Sequence, residues 1–257
     1  MFKTRLISGI VLVALALLLI ITGGNVLLGA LCVISLIGMF ELYRIFKIEK
    51  EPAGVAGYIA AIVYYLNLLF GFIPDMMMFV LGVLVVLMFI YVFSYPKYKT
   101  EQMLAAFFAV FYVAVMLSFV YRTRMLPMGT YTVWLIFLCS WGCDTCAYCA
   151  GMLLGKHRLA PVLSPKKSIE GAVGGVVGSA LLGCIYAYFF GAKMDEVSNP
   201  MVACAVACAI AAVISQIGDL AASAIKRRRA GSVRQHDFYG TGDLFCTDVF
   251  TIKRKHV

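Results

Sequence analysis

The sequence predicts an all-α fold, a polytopic bundle of about eight transmembrane helices, and three observations carry that expectation. Of its 257 residues, 63% are hydrophobic and only 14% are charged, and the mean hydropathy of +0.94 lies far outside the range of soluble domains. Apolar runs recur along the whole chain, and a run of roughly 17 to 25 residues is long enough to cross the hydrocarbon core as a helix. Lysine and arginine gather in alternate connections between those runs, as the positive-inside bias requires.

The first run, 5–22, follows Lys3 and Arg5. No small-residue cleavage pattern follows it and another run comes at once, so it reads as a retained helix rather than a signal peptide. The second run, 25–43, ends at Arg44, Lys47 and Lys50. Runs 55–73 and 76–95 meet at Asp75 and are followed by Lys97 and Lys99. The fifth, 103–121, ends at Arg122 and Arg124, which dissent from the bias by lying on the other side. The sixth and eighth, 130–154 and 201–225, are the least clean, since each carries an aspartate, Asp144 and Asp219. Between them the seventh, 171–191, follows Lys156, Arg158, Lys166 and Lys167 and precedes Lys193, Asp195 and Glu196. Lys226 to Arg229 close the eighth. The bias therefore places both termini and the loop before 171 in the cytoplasm.

The formal charge of +9 is explained by that topology and by contact with anionic headgroups. Nucleic-acid binding is not expected of a chain without a soluble domain. Nine cysteines form an odd count and lie mostly inside the runs, which suits small apolar helix residues better than disulfides. Cys143, Cys146 and Cys149 repeat every third residue, but a closed zinc or iron–sulfur site takes about four ligands. His157, His236 and His256 are not spaced to complete one, so helix packing is the expected role. No internal repeat is visible, which weakens a secondary-transporter reading without excluding it.

The informative residues are polar ones that a membrane chain can omit. Asp144 sits in "SWGCDTCAYCAG" and Asp219 in "SQIGDLAASAIKRR", each near the same end of its run. An ionisable group there costs several kcal/mol unless paired, hydrated or bound to a cation, so both are functional candidates, with a salt-bridged structural carboxylate as the alternative. Two carboxylates beside a basic loop suit Mg²⁺, which takes one or two carboxylates and completes its shell with water and phosphate oxygens. In "GKHRLAPVLSPKKSIEGAVGGVVG", Ser164 is expected to cap a helix whose first position is Pro165, with Lys166, Lys167 and Ser168 in its first turn. Free amides at that start and two ammonium groups suit a polyphosphate. Glu170 either joins a metal shell or balances the lysines. Gly171, Gly174, Gly175 and Gly178 stand at the small-xxx-small spacing of close helix packing. The upstream "GMLLGKH" is not a P-loop, because Ala150 replaces its first glycine and His157 its final hydroxyl residue.

Three segments, "WGCDTCAY", "GKHRLAPVLSPKKSIEGAVGG" and "GDLAASAIKR", resemble in this order the signatures of the phosphatidate cytidylyltransferases, the CDP-diacylglycerol synthases. The resemblance runs from "MFKTRLISGIVL" to about Gly231. It implies a bacterial plasma-membrane enzyme of phospholipid biosynthesis, facing the cytoplasm, that converts CTP and phosphatidic acid to CDP-diacylglycerol and pyrophosphate among the membrane lipids. It further implies that Asp144 and Asp219 hold Mg²⁺ and act in catalysis with Lys226 and Arg227. Ser164, Lys166, Lys167, Ser168, Glu170 and Ser223 are its substrate-binding residues: the two lysines grip the CTP phosphates, and Ser223, Lys226 and Arg227 meet phosphatidate or pyrophosphate oxygens. It leaves open a monovalent cation beside Mg²⁺ and a homodimer.

Residues 1–230 thus form the transmembrane cytidylyltransferase-like domain, and 231–257 a polar tail that departs from the family. The family continues through Lys-Asp and Pro-Gly-His-Gly-Gly-x-x-Asp-Arg-x-Asp into a last span. Here "SVRQHDFYGTGDLFCTDVFTIKRKHV" follows; Asp237, Asp243 and Asp248 could in principle substitute for the missing carboxylates, but nothing in their spacing indicates that they do. Back-translated and read one base later, "GSVRQHDFYGTG" yields Gly-Val-x-Asp and a Gly-x-Gly, which points to a shifted frame. Catalytic competence of this chain is therefore an open question at this level. The rival class is a membrane transporter or binding protein for an anionic solute, which would not release pyrophosphate from CTP. An alcohol phosphatidyltransferase would need a dense run of aspartates, and none is present.

Overall fold

The apolar runs fold as helices in a computed structural model, which describes residues 13–160, 164–194 and 197–236, the side chains of 165, 166 and 226–236 excepted. The order is α1 (Val13–Thr22), α2 (Gly24–Phe46), α3 (Pro52–Phe70), α4 (Met76–Phe93), α5 (Thr100–Ala109), α6 (Met116–Arg124), α7 (Gly129–Leu154), α8 (Ile169–Phe190) and α9 (Pro200–His236). A π-helical turn, Val110–Val115, joins α5 to α6 without a break, so Thr100–Arg124 is one span. Among the described residues seven helices are long and apolar enough to cross a membrane, and α1 adds a shorter apolar one. The protein is a polytopic all-α bundle, as its composition predicts.

Local chemistry ends these helices where it does. Pro52 opens α3 at a position whose amide has no helical partner, and the Asp75 carboxylate caps α4 by accepting from the Met77 amide at 2.9 Å. Gly71 closes α3 in the left-handed region at φ 65°, where glycine carries no Cβ penalty.

Helices α2 to α6 pack around buried tyrosines whose hydroxyls must find partners, because hydrocarbon offers none. The Tyr43 hydroxyl donates to the Ala106 carbonyl at 2.9 Å and that of Tyr65 to the Ala114 carbonyl, on the π turn, at 3.2 Å. Ser118 Oγ donates to the Val115 carbonyl at 2.6 Å, which leaves the Tyr64 hydroxyl to donate to Ser118 Oγ at 2.8 Å. Gly57 is required here, since a Cβ would strike the Tyr43 hydroxyl. At one end of these helices Glu51 pairs with Lys97 at 2.6 Å and accepts from the Tyr98 hydroxyl at 3.1 Å. At the other, Arg124 accounts for its own dissent from the charge bias: its Nε donates to the Ile20 carbonyl at 3.0 Å, closing the C-terminal end of α1.

Helices α7, α8 and α9 form a second packed group with a seam of small residues. A Cβ on Gly171 would lie 2.8 Å from the Ala147 carbonyl oxygen, and one on Gly178 2.5 Å from Cys146 Sγ. Gly174 meets Ala150 the same way, and Gly183 would bring a Cβ to 2.7 Å from the Cys204 carbonyl on α9. The glycines thus take the close-packing role their spacing suggests, and Cys143 and Cys146 pack beside them as small helix residues.

The connection from α7 to α8 corrects one expectation. Ser164 does not cap a helix starting at Pro165. Residues Arg158–Ala160 (β1) and Ser164–Ser168 (β2) pair antiparallel, Arg158 opposite Ser168 and Ala160 opposite Ser164, and α8 starts at Ile169. Ser168, four residues later, is the cap, its Oγ accepting from the Gly171 amide at 3.0 Å. A start at Pro165 sets two lysines in the first turn, against the positive end of the helix dipole. The later start puts Glu170 there instead and leaves Lys166 and Lys167 in the strand.

Candidate active site

The hairpin closes over one end of α7, α8 and α9 and leaves a cavity of about 400 Å³ beneath it. Asp144 and Tyr148 of α7, Ser164, Lys167 and Ser168 of the hairpin, and Gln216 of α9 give it polar groups, while Ala147, Met152 and Leu159 supply an apolar side. Period 3.6 explains the α7 contribution, because Asp144, Ala147, Tyr148 and Gly151 recur at three- and four-residue steps and so share one face.

Lys167 is the link between elements. Its ammonium reaches from β2 to Asp219 on α9 at 2.5 Å, both groups partly open to solvent. The structure therefore brings Asp144, Ser164, Lys167 and Ser168 to one cavity and ties Asp219 to it through Lys167. Ser223 lies half-buried one helical turn beyond Asp219. Lys166 belongs to β2, and Lys226 and Arg227 to α9, but the side chains of these three lie outside the described residues.

Two expectations about the α8 start change. Of its first three amides, Ile169 donates to the His157 carbonyl at 2.9 Å and Gly171 to Ser168 Oγ, so they are not free for a polyphosphate. Glu170 is bound to His157 across the base of the hairpin. Its carboxylate accepts from the His157 amide at 3.2 Å to each oxygen, and its Oε1 lies 2.7 Å from His157 Nδ1.

Gln216 is the cavity residue that sequence reasoning missed. Its Nε2 donates to the Ala172 carbonyl of α8 at 3.0 Å and to Cys143 Sγ of α7 at 3.2 Å, so one amide ties the three helices together under the cavity. A carbonyl oxygen can only accept, which fixes the amide with its NH₂ toward Ala172. The signal was available: an amide inside a span, three residues before Asp219 and therefore on its face.

Among the described residues no group of three or more His, Cys, Asp or Glu side chains comes together to hold a metal. Asp144 and Asp219 remain as two hard oxygen donors flanking the cavity. That set fits Mg²⁺ carrying water and substrate oxygens; it does not fit a cation enclosed by protein ligands alone.

A bundle of membrane-length helices with a carboxylate, a lysine and an apolar wall around one cavity defines a polytopic membrane protein with a polar cavity at one end of its helices. Residues 3–230 match the model of the Cytidylyltransferase family. A phosphatidate cytidylyltransferase of Staphylococcus aureus is 32% identical over 231 residues, covering 88% of this chain and 85% of the relative. Phosphatidate cytidylyltransferases of Staphylococcus haemolyticus and Staphylococcus epidermidis are each 30% identical, over 233 and 231 residues, with the same coverage. The chain belongs to the phosphatidate cytidylyltransferase family. It is an integral membrane member of a nucleotidyltransferase family, with bacterial relatives.

Proposed function

We propose that this chain transfers a cytidylyl group from CTP to phosphatidic acid at the cytoplasmic edge of a bacterial plasma membrane. A phosphate oxygen of phosphatidic acid forms the new bond to the α-phosphorus of CTP. The bond from that phosphorus to the oxygen bridging to the β-phosphorus breaks, and pyrophosphate leaves. The observation that carries this reading is the Lys167–Asp219 pair beside a cavity that also holds Asp144. A cation paired with one carboxylate, with a second carboxylate lining the same cavity, is ready to separate onto a phosphate and its metal.

No protein nucleophile is required, because the attacking oxygen is already ionised; positioning and charge neutralisation carry the rate. Lys167 exchanges the Asp219 carboxylate for phosphate oxygens of the nucleotide. Asp144 and Asp219 would hold Mg²⁺, which when bound neutralises charge developing on the phosphates. Lys166 joins Lys167 on the nucleotide, and Ser223, Lys226 and Arg227 receive phosphatidate or pyrophosphate oxygens from α9. The apolar side formed by Met152 and Leu159 faces the lipid substrate. The residues that this reading uses all lie within 1–230, and the family model matches 3–230.

The test is pyrophosphate release by the purified chain in mixed micelles with phosphatidic acid, CTP and Mg²⁺. Pyrophosphate release by the chain as it stands decides whether the departing tail leaves it competent, and Asp219→Asn is expected to abolish Mg²⁺-dependent turnover with the helical circular dichroism unchanged. Retained turnover in Asp219→Asn would remove that residue from the site. A wild-type chain that binds CTP without releasing pyrophosphate would overturn the enzymatic reading, in favour of a folded but inactive relative if it moves no solute and of a carrier of anionic solutes if it does.

A further inference from the structure

We infer that Glu170 and His157 form a positioning latch that sets the register of the hairpin and so aims Lys167 into the cavity. The inference rests on the reading of Lys167 as a phosphate ligand and reassigns Glu170 from substrate contact to support.

The hairpin cannot hold its own register. Its strands are three and five residues long, the pairing is irregular between Arg158 and Ala160, and a two-stranded hairpin alone is marginal in stability. Register matters because side chains alternate across a strand: a slip of one residue turns Lys167 to the opposite face. Something outside the ladder must choose.

The junction where the two ends of the hairpin meet makes that choice. His157 immediately precedes β1, and Ile169 and Glu170 immediately follow β2. The His157 carbonyl accepts from the Ile169 amide at 2.9 Å, its amide donates to both Glu170 oxygens, and its ring nitrogen completes a fourth contact at 2.7 Å. Nδ1 donates in this contact, which the neutral Nδ1–H tautomer and the imidazolium both allow. Every polar group of His157 on the hairpin side is thereby spent on the first turn of α8. That turn is itself immobilised, since Ser168 caps it and Gly151 and Gly155 press against Ser168 Oγ, where an added Cβ would come to 3.0 and 2.9 Å. The latch thus connects the strand carrying Lys167 to the close-packed seam of α7 and α8.

Glutamine keeps an acceptor for the His157 amide and ring, so Glu170→Gln is expected to preserve the latch, whereas Glu170→Ala and His157→Ala remove it. Hydrogen exchange by mass spectrometry reads the register without turnover. Peptides covering 157–169 should exchange at least tenfold faster in the two alanine variants and at the wild-type rate in Glu170→Gln, with α7 and α9 peptides unchanged. Unchanged exchange in both alanine variants overturns the latch, as does equal loss in Glu170→Gln. Turnover supplies the second arm. If the latch acts through Lys167, Glu170→Ala added to Lys167→Ala lowers turnover no further than Lys167→Ala alone. Multiplying losses would make Glu170 an independent ligand and overturn the inference. A wild-type chain without turnover defeats the proposed function and leaves exchange to decide the latch.

Discussion

Gly175→Ala, paired with Gly82→Ala, measures how much the small-residue seam contributes to the site. On backbone grounds both changes stabilise, since alanine is favoured over glycine in a helix interior by about 1 kcal/mol. At Gly82 nothing lies within 4 Å of an added Cβ, so the gain of about 1 kcal/mol is kept. At Gly175 the Cβ meets Ala147 Cβ at 2.9 Å, Gln216 Nε2 at 3.0 Å and the Cys143 carbonyl oxygen at 3.1 Å. Carbon atoms settle at about 3.5 to 4.0 Å, so α7 and α8 must part by roughly 0.6 Å or more. Two of the three obstacles are anchored to backbone and cannot rotate away, and the third is held by two hydrogen bonds. Overpacking of this kind costs about 1–3 kcal/mol, and with rigid neighbours the upper part of that range applies, leaving a net loss of about 2 kcal/mol. Denaturant unfolding in mixed micelles should therefore separate the two variants by about 3 kcal/mol in opposite directions. Turnover should fall only in Gly175→Ala, because displacing Gln216 moves α9 and Asp219 with it. A Gly175→Ala protein as stable as Gly82→Ala would refute the packing argument.

Two further outcomes follow from buried and exposed polar contacts. Ser118→Ala leaves the buried Tyr64 hydroxyl without its acceptor and should cost about 1–3 kcal/mol, while Tyr64→Phe leaves Ser118 still bonded to Val115 and should cost about 0.5–1.5 kcal/mol; the reverse order in the same unfolding assay would contradict the donor assignment. Lys97 holds the Glu51 carboxyl below the usual glutamate range, helped by the Tyr98 hydroxyl, and Glu51 raises Lys97. A lowered acid contributes stability above its unfolded value of about 4.3 and loses it as pH falls through its folded value, and a raised lysine loses its contribution as pH rises past about 10.4. The melting-temperature difference between wild type and Lys97→Met should therefore be level from about pH 5 to pH 10 and shrink outside that window.

The spans, the glycine seam and the two carboxylates were legible because each is a local property: run length, spacing on one helix, an ion inside an apolar stretch. The hairpin was not. Ser164 and Ser168 stand just over one helical turn apart, and both precede helix-compatible residues, so a cap-and-proline rule selects the first. The strand that displaces it depends on pairing with Arg158–Ala160 and on the reach of Lys167 to Asp219, contacts that no window around Ser164 contains. The dipole argument against lysines in a first turn was available and favours the later start. The role of Glu170 was hidden for a related reason, since its partner His157 lies thirteen residues upstream across the hairpin. The π turn left no mark on the apolar run that contains it.

The Arg124 contact changes what the charge bias means for this molecule. On the face opposite the hairpin, Arg124 is bonded to the Ile20 carbonyl, Arg122 lies over the Phe119 ring at 5.2 Å, and Lys193 over the Tyr131 ring at 5.2 Å. Each of these cations already has a carbonyl or an aromatic ring for company. A count of positive residues treats the two faces as differing in number alone, yet they differ in availability. One surface has its charges consumed by the protein itself and offers little to a passing anion; at the other, Lys167 is matched to a partly exposed carboxylate, the pair that the proposed function opens to phosphate.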